Sequence, residues 1–419
     1  MRRIPGSTLL LFLSAALALS FGCAGENDVD RKLLVVGIDG AEWSVIEPLM
    51  AEGRLPNLQG LIESGVSCGL RSLEPKQKSP TIWTTIATGK LPEKHGIGDY
   101  LDQRTGRLLT SNVRSARTVW DIIGSAGRTV AVVGWLVTWP AEPLNGCMVS
   151  DYFRYGERAG RDEPENLTYP DDLVDEIESL RTTSDDVSDD DIARFTDLEA
   201  VLSSEEIQSL PIEEMLVEMN GLGSVDAMVK ALRDLYAADR TFVAAARHLI
   251  RKRDPDATFV YLRGVDTASH KFWPAAHRGE VGFAVSRSEE AAFGHTVERY
   301  YEHADEMLGE LLQEFGDDGT VIVCSDHGFE GPRPGRRPGG IRDHGPVGVL
   351  VMAGDDVRRG VRIEEQSVRD VTPTILALHG LPVAEDMDGE PIVEALTDEF
   401  LARHPVGSTE TYESEGEAE

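Results

Sequence analysis

Three apolar runs in the sequence stop at an aspartate: LLVVGID at Asp39, TFVYLRGVD at Asp266 and TVIVCSD at Asp326. One strand-end aspartate is ordinary, because turns and helix caps favour it. Three delivered to one edge would repel one another unless a cation held them. Histidines accompany two of them. Asp266 and His270 are four apart in GVDTASHKF, so a helical turn after the run puts both on one face. His327 follows Asp326 directly, and Gly328 permits a sharp backbone turn there. His344 stands in RDHGPVGVL, just ahead of another apolar run. Mixed aspartate and histidine ligands suit zinc, and manganese or iron also accept them. Six are too many for one tetrahedral ion. They suit two ions about 4 Å apart, which clamp the attacking and leaving oxygens of a phosphoryl transfer.

A reacting hydroxyl has a candidate in KSPTIWTTIATGKLPEKHGI (78–97), which crowds five hydroxyl side chains into ten residues. Threonine-rich helices are poor helices, because β-branched side chains lose rotamer freedom there. Ser79 and Pro80 predict a helix start, with Ser79 as N-cap, Pro80 at the first helical position and Gly89 just past the end. An isolated Ser-Pro pair would be a cap and nothing more. The same position also sets the hydroxyl beside unpaired N–H groups at the positive end of the helix dipole, which favours an alkoxide and a bound phosphate. Thr81, Thr84, Thr85 and Thr88 form one stripe along the helix and are expected to pack or hydrogen-bond rather than react.

The elements that position these residues follow from patterning. LLVVGID, TVAVVGW, TFVYLRGVD, TVIVCSD and VGVLVMAG are continuous and β-branched, as strands buried on both faces should be. Helical patterns lie between them, at 43–52, 56–64, 80–88, 118–126, 296–314 and 371–379. The alternation predicts an α/β fold, a doubly wound, mostly parallel sheet flanked by helices, with ligands bound outside the carboxyl ends of the strands. The catalytic domain is expected over 32–395. The acidic, helix-patterned stretch 152–250 reads as an insertion that could cap the site, and 396–419 as an acidic, unstructured tail.

The formal charge is 41 − 73 = −32, which argues against a nucleic-acid polymer as partner and requires something strongly positive in any site for a small anionic substrate. At the N-terminus, Arg2 and Arg3 precede the apolar run LLLFLSAALALSF (9–21), too short to span a bilayer stably. Residues 1–23 read as a secretory signal. Cys23, in SFGCAG, resembles the lipidated cysteine of a bacterial lipoprotein, and 24–31 would be a linker. The expectation is an exported protein, periplasmic or held at the membrane by lipid on Cys23 alone. Export makes disulfides permissible: Cys68 and Cys147 could pair, whereas Cys324 sits inside an apolar run and reads as a buried hydrophobe.

Taken in order, GIDGA (37–41), KSPTIWTTIATGKLPEKHGI, GVDTASH (264–270), CSDHGF (324–329) and DHGPVGVLV (343–351) resemble the type I phosphodiesterase/nucleotide pyrophosphatase branch of the alkaline phosphatase superfamily, over about 32–395 apart from the insertion. The resemblance implies that Asp266, His270 and His344 hold one ion, and that Asp39, Asp326 and His327 hold the other with the nucleophile's oxygen. In relatives that nucleophile is a Thr or Ser at the start of the helix ending in TG, and counting back from Thr88-Gly89 gives Ser79. The implied activity is metal-dependent phosphodiester hydrolysis through a phosphoserine intermediate, with two ions, zinc or else manganese. An exported phosphomonoesterase would share every ligand. A sulfatase would need a C/S-x-P-x-R context, whereas Pro80 follows Ser79 immediately. A surface binding protein on a decayed enzyme fold would have been expected to lose one of the seven residues. Nucleotide pyrophosphatases place an asparagine five residues after the HGI histidine; here Tyr100 stands there, a candidate pocket residue. GWLVTWPAEPLNG (134–146) is a candidate pocket wall, with Trp135 and Trp139 expected in the core.

Overall fold

A computed structural model describes residues 32–102, 104–154, 165–219, 224–279, 284–330 and 343–413. The signal-like segment, Cys23 and the linker lie outside the described residues. Ten strands build the frame: β1 (Lys32–Ile38), β2 (Gly65–Arg71), β3 (Val130–Val133), β4 (Gly146–Val149), β5 (Thr168–Tyr169), β6 (Ala257–Leu262), β7 (Gly319–Cys324), β8 (Gly328–Glu330), β9 (Asp343–Gly345) and β10 (Val347–Ala353). The main sheet runs β2-β10-β7-β1-β6-β3-β4-β5, with Val361–Arg362 and Gln366–Ser367 also on β2; β8 and β9 form a separate ribbon. From β7 through β1, β6 and β3 to β4 every pairing is parallel.

The apolar runs are continuous because both faces are covered. On β1, Leu34 and Val36 join one buried cluster while Leu33 and Val35 join the cluster on the opposite face. The helices Val225–Arg253, Gly264–Ala276 and Thr296–Phe315 cover the first face. Ser79–Thr88, Val119–Ser125 and Val371–Leu378 cover the second. No helix among the described residues is long and apolar enough to cross a membrane.

The sheet is mostly parallel as expected, with β10 antiparallel to both β7 and β2. Two expectations are corrected. First, the acidic stretch is not one insertion: its last helix, Val225–Arg253, buries Leu232, Phe242, Val243 and Leu249 against the sheet and leads into β6, so it is a covering helix of the fold itself. Second, the chain does not trail off at 395. Asp398–Arg403 is a helix whose Phe400 is buried, Ser408–Thr409 pairs with Val383–Ala384, and Glu413 accepts from Lys90 at 2.8 Å. Cys68 on β2 and Cys147 on β4, whose pairing the sequence leaves open, are buried free thiols with the centre of the sheet between them. A disulfide needs Cα atoms within about 7 Å.

Candidate active site

The parallel register brings the carboxylates together. Ile38 pairs with Leu262 on one side, and Gly37 with Cys324 on the other, so β1, β6 and β7 end side by side. Asp39 is the next residue of β1, and its N–H donates to the Leu262 carbonyl at 2.9 Å. Asp266 and His270 sit four apart in the helix that follows β6. Asp326 and His327 follow β7. Because β10 runs antiparallel, its beginning lies at this same edge, which brings His344 from the β8–β9 ribbon to the other five. Gly328 does not act through an unusual φ. It starts β8, and a side chain there would meet the Val347 carbonyl at 2.3 Å.

The six candidate ligands converge. His327 Nε2 lies 3.4 Å from Asp39 Oδ1, 3.5 Å from Asp326 Oδ2 and 3.9 Å from Asp266 Oδ1. His270 Nε2 lies 3.2 Å from Asp266 Oδ1 and 3.1 Å from His344 Nε2. Two donors each about 2.0–2.1 Å from a tetrahedral ion stand roughly 3.3 Å apart, so these are the separations of atoms that share ions. Asp39 Oδ1, Asp266 Oδ1, Asp326 Oδ2 and His327 Nε2 are all buried without a hydrogen-bond partner. Orphaned buried polar atoms are costly, and four aimed at one spot fit a cation.

The outward-facing atoms of the same groups are held. Asp39 Oδ2 accepts from Trp83 Nε1 at 3.1 Å and from the Tyr261 hydroxyl. Asp326 Oδ1 accepts from the Gly40 N–H at 3.3 Å. His327 Nδ1 donates to the Gly328 carbonyl at 2.9 Å, which leaves the lone pair on Nε2, facing the cluster. Burial together with the charges of Asp39 and Asp266 pushes Asp326 well above the usual carboxylate range. Burial alone would lower His327, but Asp326, Asp39 and Asp266 outweigh it and raise its pKa to about 10. In the metal-free site a proton on His327 thus stands where a cation would. Burial, with His327 and His270 nearby, drops His344 to about 3, so its imidazole is neutral and able to ligate.

Ser79 is buried and is the first residue of its helix; Lys78, not Ser79, is the N-cap, and Gly89 closes the far end at φ 68° as expected. Trp83, one turn on, carries the bond to Asp39, and the Lys78 charge is felt at His344. Three threonines of the stripe are tied structurally: Thr84 donates to the Pro80 carbonyl, Thr88 to the Thr84 carbonyl, and Thr85 pairs with His95 Nε2 at 3.1 Å, whereas the Thr81 hydroxyl is buried without a hydrogen-bond partner. Beside the candidate ligands, a small cleft of about 60 Å³ is lined by Pro80, Tyr100, Leu109, Leu136, Trp139 and Tyr152, among others. Tyr100 is 47% exposed, yet burial of its hydroxyl and the charges of Asp39 and Asp266 raise its pKa. Trp135 is in the core as expected, whereas Trp139 stacks on Tyr152 (4.6 Å, 23°) and faces the cleft. Of the acidic stretch 152–250 expected to cap the site, Tyr152 and Arg154 at its start line the cleft, and none of the described residues 165–219 does.

A family model described as type I phosphodiesterase / nucleotide pyrophosphatase matches residues 33–338, which hold five of the six candidate ligands, all but His344, and the Ser79 helix within one span. The chain belongs to this family. It is a phosphoric ester hydrolase of the type I phosphodiesterase class. No curated protein matches it in sequence. Among solved structures, murine ectonucleotide pyrophosphatase / phosphodiesterase 5, an inactive variant in complex with AMP, superposes with a TM-score of 0.51 at 13% identity, over 88% of this chain and 100% of that one. The human protein of the same name gives 0.52 at 13% identity over the same shares. At that identity the likeness is one of fold.

Beyond the expected residues, this family member uses several that the sequence did not mark. Trp83 and Tyr261 are buried aromatics that aim their single polar atoms at Asp39. Asp239, in the middle of the Val225–Arg253 helix, is fully buried and accepts from the N–H groups of Arg263 (3.2 Å) and Gly264 (3.0 Å) and from the Tyr300 hydroxyl (3.0 Å). It thereby holds the start of the helix that carries Asp266 and His270. Gly264 is required there: a Cβ would lie 2.2 Å from the Asp239 carboxylate. An acidic residue at i, i+3 spacing on an amphipathic helix gives no sign that it will be buried.

Proposed function

We propose that this chain is a metal-dependent phosphodiesterase with Ser79 as nucleophile and two ion sites, Asp266/His270/His344 and Asp39/Asp326/His327. The observation that carries the reading is the convergence of four orphaned, buried donor atoms on one spot beside the start of the Ser79 helix. Divalent ions there, zinc on ligand type with manganese the alternative, would supply the positive charge that lowers the Ser79 pKa and offsets the phosphate oxygens.

The chain's own groups do the rest. Ser79 Oγ, having lost its proton to solvent, attacks phosphorus in line. The bond to the leaving oxygen breaks, and the leaving group departs with that electron pair. The adduct is a serine phosphodiester that keeps the second substituent. Water then attacks the same phosphorus, Ser79 Oγ leaves and is reprotonated, and a phosphate monoester is released. Asp39 stays oriented throughout because Trp83 and Tyr261 occupy its other oxygen. No general base is needed beside Ser79, and the cleft next to Pro80 gives the second substituent a place that a monoester would leave empty.

Replacement of the nucleophile tests this. Ser79→Ala removes the attacking oxygen and none of the six Asp and His side chains. It is expected to retain bound metal by elemental analysis while kcat falls more than about a thousandfold. A Ser79→Ala protein that still turns over at near wild-type rate would sink the assignment.

A further inference from the structure

The GWLVTWP segment has no part in the chemistry above, yet it is tightly constrained. Val137 is buried and takes φ +62°, a conformation that crowds the Cβ of any L residue and is worst for a β-branched one. Glycine would adopt it freely. The chain instead places a branched apolar side chain there, on the lining of the cleft. Asp151, two residues past β4, meets this turn directly. Its Oδ2 accepts from the Val137 N–H (3.3 Å) and its Oδ1 from the Thr138 N–H (3.4 Å). Its own N–H donates to Thr138 Oγ1 (3.1 Å), whose proton goes to the Trp135 carbonyl (2.5 Å). From the other side, Arg114 donates to the Val137 carbonyl at 3.1 Å. Trp135 Nε1 donates to the Trp83 carbonyl at 3.3 Å, and Trp83 is the residue bonded to Asp39. The turn is therefore tied to the helix of Ser79 as well as to Asp151. Strained conformations persist only where the surroundings over-determine them, and they gather at functional sites.

We propose that Asp151 is a positioning residue: it holds Val137 in its strained turn and so fixes the wall of the cleft that selects the second substituent of the ester. This rests on the phosphodiesterase reading of the site. Burial raises the Asp151 pKa, with the neighbouring Arg154 and the two N–H groups opposing the rise, so its carboxylate is retained at a cost that a purely filling role would not require. The in-line geometry supports the placement, since the leaving oxygen must lie opposite Ser79 while Pro80, its neighbour, borders the cleft.

The test compares bis-p-nitrophenyl phosphate with methyl p-nitrophenyl phosphate, two diesters with the same leaving group and different second substituents. Asp151→Ala, Val137→Gly and the double variant are each measured for kcat, KM and melting temperature. Asp151→Ala is expected to lower the aryl-to-methyl ratio of kcat/KM by about tenfold, through KM. In the Val137→Gly background the turn needs no restraint, so the same change is expected to cost much less, both in that ratio and in melting temperature. If Asp151→Ala does not fold, Asp151→Asn, which keeps one acceptor, serves in its place with a smaller effect in the same direction. Equal losses on both esters, or melting shifts that simply add, would overturn the proposal. If the wild type hydrolyses neither diester, the phosphodiesterase reading fails and the selective role with it, while the melting cycle still decides whether Asp151 restrains Val137.

Discussion

His327 is the residue on which the charge balance of the site turns. Its pKa of about 10 in the metal-free fold lies above the unfolded value near 6.5. A group raised in this way contributes stability that is fully present below the unfolded pKa and is lost as pH rises through the folded one. The metal-free protein is therefore expected to melt at progressively lower temperature from about pH 6.5 to pH 10, more steeply than the metal-loaded protein, in which a cation replaces the proton. Calorimetry with and without a chelator measures this, and parallel curves would contradict it. The six candidate ligands were legible only as a set: one strand-end aspartate is ordinary, but three at one edge, two with histidines beside them, would repel one another without a cation. Trp83 and Tyr261 were not legible, since a mostly apolar side chain reads as core and only the tertiary structure shows where its one polar atom points.

Among elements, the Gly264–Ala276 helix matters most, because it carries two candidate ligands and its start is pinned from another helix. Removing the pin leaves the Arg263 and Gly264 N–H groups and the Tyr300 hydroxyl without their acceptor. Asp239→Ala is expected to destabilise the fold by about 2–4 kcal/mol in urea titration and to weaken metal binding as the helix start loosens. A loss below about 1 kcal/mol with unchanged metal affinity would show that the pin is dispensable. Strand positions were legible in continuous β-branched runs, but strand direction was not. A run such as VGVLVMAG reads the same either way along the sheet, and only the antiparallel placement of β10 explains how His344 reaches the carboxyl edge. The stretch holding the Val225–Arg253 helix read as helical, but its covering role did not show: acidic surroundings masked an apolar face that covers β3 and β6.

At the scale of the whole molecule, a formal charge of −32 acts on any anionic ligand. Repulsion grows with the ligand's charge and reaches about 8–10 Å at ordinary ionic strength. A dianionic monoester meets roughly twice the repulsion of a monoanionic diester, and it brings a third charged oxygen to a site with a fixed set of ligands. The global charge and the apolar cleft thus favour the same substrate class. The charge was legible at once from composition. The cleft was not, because it is assembled from Pro80, the Tyr100–Leu109 loop, the Leu136–Trp139 turn and Tyr152, segments separated by tens of residues whose meeting depends on the completed sheet.

The most direct measurement is hydrolysis of bis-p-nitrophenyl phosphate beside p-nitrophenyl phosphate by the zinc-loaded protein, with EDTA as control. The expected result is clearly faster turnover of the diester, abolished by EDTA. Faster turnover of the monoester, or diester hydrolysis that survives complete removal of metal, would contradict a metal-dependent phosphodiesterase.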